Sequence, residues 1–392
     1  MTGSFSIARI PQLHFGPGKI SVLPSIIKSY GQKVLLITGA TSFLSSKYGV
    51  AVIQELETKG FDVAQYSVST EPTPTLVDEA VRRYASFHCE VVVAIGGGSV
   101  LDAGKAISAM LPLNEPVKDF LEGVGTKAHP GIKIPFIAVP TTSGTGSEAT
   151  KNAVLSESGD DGYKKSLRHN NLVPDVAVLD PVLNVGCPAS ITASSGMDAF
   201  TQLLESYLST TANVITDALA VEGLGRVSKS LRTAYQDGSN VEARTDMLLA
   251  SYLSGITLAN AGLGLVHGFA SSIGGFFEIP HGVICSSLMS ACNRLTVKKL
   301  RQAQSNDTAL FKYATIGKLF SADTNKSDDY YIDFLLQLIG DWADEMNIPR
   351  LPSCGVSSEH IDKIVSATDN KNNPIALEKD EMMEVLELAG TP

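Results

Sequence analysis

The sequence predicts an α/β half built on a parallel sheet, followed by an all-α half. Three observations predict it. Short β-branched apolar runs alternate with amphipathic runs from about residue 20 to residue 180, which is the pattern of strand–helix–strand units. Three of the apolar runs end directly in clusters of glycine and hydroxyl residues: Gly39-Ala-Thr-Ser42, Gly96-Gly-Gly-Ser99 and Pro140-Thr-Thr-Ser-Gly-Thr-Gly-Ser-Glu148. After about residue 185 strand patterns nearly vanish and long helical patterns replace them. These observations place a domain boundary at 184/185, dividing residues 1–184 from 185–392.

In the first half, residues 4–15 are a mixed apolar segment that ends in the turn His14-Phe-Gly-Pro-Gly18. A helix is expected from Ser21 to Tyr30, stopped by Gly31, and a strand over Lys33–Thr38. A helix from about Val50 to Lys59 closes on Gly60, and Phe61–Val68 reads as the next strand. The amphipathic run Pro74–Phe87 reads as a helix. Val91-Val-Val-Ala-Ile95 is apolar throughout and too short for a helix, so it reads as a buried parallel strand. Ile134–Val139 and Asp175–Asp180 are the remaining strands. In the second half helices are expected over Ala189–Leu208, Val214–Tyr235, Val241–Ala261, Leu265–Phe276, Thr308–Phe320, Tyr331–Met346, Glu359–Thr368 and Lys379–Ala389. The polar run Ser321–Asp329 reads as an exposed loop.

The strand ends carry the first candidate chemistry. Gly96, Gly97 and Gly98 leave bare backbone at a helix start, where free amides and the helix dipole favour an anion. Ser99 with Asp102 three residues on reads as a capping pair for that helix. The spacing is not G-x-G-x-x-G, because Leu101 occupies the third glycine position. A glycine turn that only lets strand and helix pack is the plainer alternative. Pro140–Glu148 adds hydroxyls and amides at another strand end, and ligands of such sheets bind at the carboxyl ends of the strands. Two such loops on one sheet favour a dinucleotide over the packing alternative.

Bulk properties narrow the class. With 44% hydrophobic and 18% charged residues the chain is globular rather than disordered. A net charge of −10 argues against nucleic acid or an anionic membrane as the general partner. The N-terminus lacks a signal-peptide pattern and no run approaches the length of a membrane span. Cys89, Cys187, Cys285, Cys292 and Cys354 are scattered and include no Cys-x-x-Cys pair, which points to reduced thiols and a cytoplasmic location. Cys285 lies near the candidate metal residues, and a packed small apolar side chain is its expected role.

In the helical half, Asp198 and Gln202 stand four apart, on one helix face. His267 and Ser271 repeat that spacing, and His281 follows after Pro280. One aspartate and two histidines could hold a divalent transition metal, with Gln202 as a weak fourth donor. Satisfied core histidines are the competing structural explanation.

Taken together, Ile95-Gly-Gly-Gly-Ser-Val-Leu-Asp-Ala-Gly-Lys105, Pro140–Glu148, Pro174-Asp-Val-Ala-Val-Leu-Asp-Pro181, Ser195-Gly-Met-Asp-Ala199 and Pro280-His-Gly282 resemble the iron-containing (group III) alcohol dehydrogenases. The resemblance runs through nearly the whole chain, and the Pro140–Glu148 motif is highly specific. It implies the dehydroquinate synthase-like two-domain architecture: a Rossmann-like dinucleotide-binding domain, then a helical metal and substrate domain. It also implies reversible hydride transfer between NAD(P)H and a small alcohol and its aldehyde or ketone. By resemblance, Gly97, Gly98 and Ser99 bind the pyrophosphate and Asp102 lines that site. Thr141, Thr142 and Thr145 meet the phosphates and nicotinamide. Lys164 matches the lysine that reaches the cofactor ribose, a solvated loop lysine being its other reading.

The family's metal is held by one aspartate and three histidines, and Asp198, His267 and His281 match three of them. Gln202 stands where the second ligand is histidine, and Ser271 where a further histidine lies near the substrate. Ferrous iron or zinc on Asp198, Gln202, His267 and His281 and a metal-independent reductase therefore both stay open. In the latter, Ser271, Lys164 or His281 would polarise the carbonyl. NAD-preferring members carry an aspartate at the first strand end, where this chain has Gly39 followed by Thr41 and Ser42. That substitution implies NADP(H) in preference to NAD(H). The resemblance further implies a homodimer or higher homo-oligomer. A dehydroquinate synthase-type lyase and a non-catalytic nucleotide-binding relative are the rival readings.

Overall fold

The computed structural model describes residues 4–303 and 307–390. In chain order the strands are β1 (Gln12–Phe15), β2 (Lys33–Gly39), β3 (Asp62–Val68), β4 (Val91–Gly96), β5 (Phe136–Pro140), β6 (Asn152–Glu157), β7 (Tyr163–Arg168) and β8 (Val176–Leu179). The first four helices are α1 (Leu23–Tyr30), α2 (Lys47–Thr58), α3 (Pro74–Tyr84) and α4 (Gly98–Met110). The remainder lie after β8: α5 (Ala189–Leu208), α6 (Val214–Gln236), α7 (Val241–Ala261), α8 (Leu265–Phe276), α9 (His281–Ala303), α10 (Asp307–Phe320), α11 (Asp328–Glu345), α12 (Ile361–Ala367) and α13 (Lys379–Gly390).

Six strands form one parallel sheet in the order β1-β8-β5-β4-β2-β3. The side-chain alternation of each strand feeds two cores. Val34, Leu36, Val93 and Ile95 face Leu23 and Ile27 of α1 and Val52 and Leu56 of α2. Leu35, Ile37, Val92 and Ala94 face Val77 and Val81 of α3 and Leu101 and Ile107 of α4. Each fully buried aliphatic side chain stabilises this packing by about 1.5–3 kcal/mol. The strand order reverses direction between β2 and β4, so the crevice at their carboxyl ends is the sheet's switch point. Gly39 closes β2 there, and Gly96 closes β4.

The second half is helical, as expected, with differences in detail. The stretch after His281, which carried no predicted element, is the 23-residue α9. Lys164 lies on a strand: β6 and β7 make a separate antiparallel hairpin, and β7 docks on α8. Gln12–Phe15 form β1, which pairs with β8, so His14 and Phe15, read as the start of a turn, lie on a strand. Ser99 does not cap α4. The helix starts two residues earlier, at Gly98, Gly97 is its N-cap without a side-chain bond, and Ser99 Oγ turns to Glu71 Oε1 at 3.4 Å. Among the described residues no single helix is long and apolar enough to cross a membrane.

The two halves meet where the Pro140–Glu148 loop packs on α7. Gly146 has φ +61°, and a Cβ there would sit 2.5 Å from the backbone of Gly255. Two glycines thus let a loop and a helix touch backbone to backbone. That contact fixes the cleft between the sheet ends and the helices.

Candidate functional site

The cleft has a volume of about 610 Å³. Gly98, Ser99, Asp102 and Thr145 line one end, and Gln202, His267, Ser271 and His281 line the other. Lys164 lies on its wall. Gly39, Thr41, Ser42, Gly96, Gly97, Thr141 and Thr142 are not on that wall. The backbone of Gly96 accepts from Thr141 N at 2.9 Å, and a Cβ on Gly97 would touch the Thr142 hydroxyl at 3.4 Å. A Cβ on Gly98 would come within 2.5 Å of Thr145 Cγ2, so only glycine lets the threonine loop lie against the start of α4. Thr41 and Ser42 are exposed beyond the end of β2.

Asp102 is held rather than free. Its carboxylate accepts from Ser147 Oγ at 2.5 Å and from Val154 N at 3.2 Å, with Lys105 Nζ 3.8 Å away. Burial pushes its carboxyl up, against the pull of Lys105 and those two donors. Lys105 is fully buried and donates to Ser147 O, Ser147 Oγ, Thr150 Oγ1 and Asn152 O at 2.7–3.0 Å. One ammonium thereby ties α4 to the motif loop and to β6.

Glu148, in the same loop, is also buried, and its Oε1 has no hydrogen-bond partner. Burial pushes its carboxyl up to about 7. With a folded-state value above the ordinary 4.5, Glu148 contributes stability that is complete below about pH 4.5 and lost as pH rises through about 7. Glu148→Gln is therefore expected to be more stable than the wild type at pH 8, by up to about 3 kcal/mol. The gap should close toward pH 5. Melting curves at the two pH values check this, and a gap that does not change with pH would contradict it.

Lys164 is not a solvated loop lysine. Its side chain is 7% exposed and its Nζ is 2.9 Å from Glu71 Oε2. Burial opposes the Glu71 charge, and the Lys164 ammonium outweighs it, so the carboxyl lies below its usual range. Glu71 therefore steadies both Lys164 and Ser99, a role no sequence pattern announced.

At the helical end, Asp198 and Gln202 come from α5, His267 from α8 and His281 from the first turn of α9. His267 Nε2 is 3.4 Å and His281 Nε2 3.8 Å from Asp198 Oδ1, itself a buried atom with no hydrogen-bond partner. His267 Nδ1 meets Glu205 Oε2 at 2.7 Å, which fixes the ring with Nε2 toward Asp198; burial opposes its charge, but Cys285, Glu205 and Asp198 around it hold the imidazole well above its ordinary 6.5. Burial pushes His281 down to about 4, so its imidazole is neutral. These are not core histidines satisfied by backbone partners.

Gln202 is turned away from this group. Its Nε2 donates to Asp198 Oδ2 at 3.0 Å, and its Oε1 accepts from Ser254 Oγ at 2.6 Å. Its amide oxygen, the atom a metal would need, is thus already used. Cys285 is buried, as expected, and its thiol faces both imidazoles. Its Sγ lies 3.7 Å from His267 Nε2 and 3.6 Å from His281 Nε2. One donor atom each from Asp198, His267, His281 and Cys285 lies within 4.8 Å of the others. The signal for Cys285 was its spacing four after His281, visible only once 281–303 is known to be helical. Beside the cluster, Lys371 Nζ donates to Ser271 Oγ at 3.3 Å.

A parallel sheet with a glycine-led helix at its switch point, facing a buried Asp/His/His cluster across one cleft, defines a two-domain nucleotide-dependent oxidoreductase. A sequence model of the iron-containing alcohol dehydrogenases matches residues 11–181, and one for the C-terminal part of the same family matches residues 192–390. The chain belongs to that family. It is 32% identical over 387 residues to alcohol dehydrogenase 4 of Saccharomyces cerevisiae, covering 97% of each chain. It is 35% identical over 284 residues to the 1,3-propanediol dehydrogenase of Citrobacter freundii, covering 71% and 72%. The crystal structure of a 1,3-propanediol oxidoreductase superposes with a TM-score of 0.88 at 29% identity, covering 99% of this chain and 100% of that one. The protein is thus an oxidoreductase acting on alcohols and the corresponding aldehydes, and its family implies a nicotinamide cofactor and a divalent metal. The lyase and non-catalytic readings fall away.

Proposed function

We propose that this enzyme is an NADPH-preferring reductase of small aldehydes, reversible toward the alcohol. The observation that carries it is the single cleft joining the N-terminus of α4 to the Asp198 cluster. The first amides of α4, at Gly98 and Ser99, have no side-chain cap competing for them and bind the diphosphate. The Thr141–Thr145 loop closes over it. Lys164, oriented by Glu71, reaches the ribose next to the nicotinamide. Asp198, His267 and His281 would hold the metal, and the orphaned, buried Asp198 Oδ1 facing two imidazole nitrogens fits that demand. Bound nicotinamide supplies the hydride, and bound metal supplies Lewis-acid polarisation of the substrate oxygen.

The remaining steps belong to side chains. Glu205 fixes the His267 ring, and Gln202 fixes the Asp198 carboxylate. Lys371 and Ser271 form the hydrogen-bonded pair at the substrate end, and the proton of the substrate hydroxyl passes through Ser271 Oγ to or from the Lys371 amine. The division at 184/185, with the nucleotide on the first part and substrate on the second, belongs to the same reading. Five unpaired thiols suit a reducing cytoplasm.

The coenzyme preference rests on β2. No carboxylate occurs from Gly39 to Ser46, while the Thr41 and Ser42 hydroxyls are exposed at the switch point. A 2′-phosphate meets no repulsion there. The wild type is expected to show higher kcat/KM with NADPH than with NADH. Gly39→Asp has room, since its Cβ would meet only Ser42 Oγ at 3.8 Å. It should shift the ratio toward NADH by about tenfold or more, about 1.4 kcal/mol. A wild-type preference for NADH would overturn this assignment.

A further inference from the structure

We infer that Cys285 is the fourth protein ligand of the metal, in place of an imidazole, and that this makes the site selective for zinc over ferrous iron. The inference rests on the metal reading above but adds a donor, a donor class and a metal preference to it.

The argument begins with Gln202. Its two amide ends are committed to Asp198 and Ser254, so it completes the shell outside the metal rather than the metal's own. The fourth corner is then open, and Cys285 Sγ occupies it. A tetrahedral zinc ion with ordinary Zn–S and Zn–N distances of about 2.3 and 2.0–2.1 Å has S···N edges of about 3.5 Å and N···O edges of about 3.3 Å. The observed S···N separations are 3.7 and 3.6 Å. The observed N···O separations are 3.4 and 3.8 Å. Four of the six donor–donor separations thus lie within about 0.5 Å of the edges of a zinc-sized tetrahedron, and the other two are no longer than 4.8 Å.

The positions follow from helix geometry. His281 and Cys285 are four apart on α9 and share a face, while Asp198 on α5 and His267 on α8 close the other side. Asp198 Oδ1 is the second, independent pointer: a buried carboxylate oxygen without a partner, on a residue 1% exposed, aimed into the same space. Exchanging an imidazole for a thiolate softens the donor set, and soft donors favour zinc over ferrous iron. On binding, the Cys285 S–H proton leaves to solvent and the S–metal bond forms. His267 and His281 line the cleft, so a substrate oxygen would approach from that side as a fifth donor, expanding the four-protein-ligand shell.

The test uses full-length protein stripped with chelator and reloaded with cobalt(II), read by absorbance. The expected result is an intense near-ultraviolet thiolate-to-cobalt charge-transfer band that disappears in Cys285→Ser, with cobalt affinity weakened at least about tenfold. Should Cys285→Ser fold poorly, the double variant Gln202→His/Cys285→Ala offers a third imidazole in its stead. It should bind cobalt again, without the band. Competition between zinc and ferrous iron should leave zinc on the wild type, and iron should compete better on the double variant. Cobalt bound to wild type without the band overturns the thiolate ligand while leaving Asp198, His267 and His281 standing. Failure of every form to bind cobalt overturns both readings.

Discussion

Asp198→Ala is expected to bring bound metal from near one per chain to near zero and to lower kcat by about three orders of magnitude or more. Asp198 Oδ1 is the atom on which both imidazole nitrogens converge, so its removal takes out the anionic donor of the set. Stability should change little. The lost carboxylate leaves Gln202 Nε2 without its acceptor, a cost of about 1–3 kcal/mol, but it also removes a buried charge. Nucleotide binding should be retained, because Gly98, Ser99 and Thr145, which line the cleft on the sheet side, do not depend on Asp198 of α5. Elemental analysis, coenzyme titration and steady-state rates on one preparation separate these effects. Metal-free Asp198→Ala with near wild-type turnover would show that hydride transfer here needs no metal.

What the sequence disclosed and what it concealed divide along physical lines. Strands β2, β4, β5 and β8 and helix α4 were legible because a buried parallel strand is an unbroken apolar run and because glycine clusters mark some of the strand ends. Asp198, His267 and His281 were legible as residue types, but their convergence depends on three helices whose packing no spacing encodes. The helix α9 escaped notice because its first half is buried nearly all round. Ser286, Ser287, Cys292 and Asn293 are interior, so its first three turns show no polar stripe of period 3.6, and the exposed face of Arg294, Lys298 and Arg301 emerges only in its second half. Losing α9 also lost Cys285, whose partnership with His281 is a consequence of the helix. Gln202 misled for a different reason. An amide at a ligand position reads as a weakened ligand, whereas a hydrogen-bond network can recruit it to hold the true one. Lys164 appeared in a polar stretch that gave no strand signal, yet the hairpin and Glu71 bury it.

Lys105→Met is expected to be the most destabilising single substitution in the first half, by about 3–5 kcal/mol. Sequence placed Lys105 inside a motif without a role, since nothing about its neighbours tells that it points inward. In the fold its side chain is wholly buried and its ammonium satisfies two backbone carbonyls and two hydroxyls. Methionine fills most of the volume, so the loss is electrostatic rather than a cavity. It leaves the carbonyls of Ser147 and Asn152 without this donor, and it leaves Asp102 and Glu148 buried without the cation that offsets them. Burial pushes Lys105 down to about 8, below the ordinary 10.5, so its own ionisation opposes folding. Wild-type stability should therefore rise with pH above about 8 up to about 10.5, and the methionine variant should lack that rise. For a domain of about 200 residues the expected loss lowers the melting temperature by roughly 10 °C. Because the same ammonium holds the Ser147–Asn152 segment against α4, coenzyme affinity should fall with stability, while metal content should not. A melting temperature within about 3 °C of wild type, with coenzyme binding intact, would show that the four hydrogen bonds around Lys105 do not organise the loop.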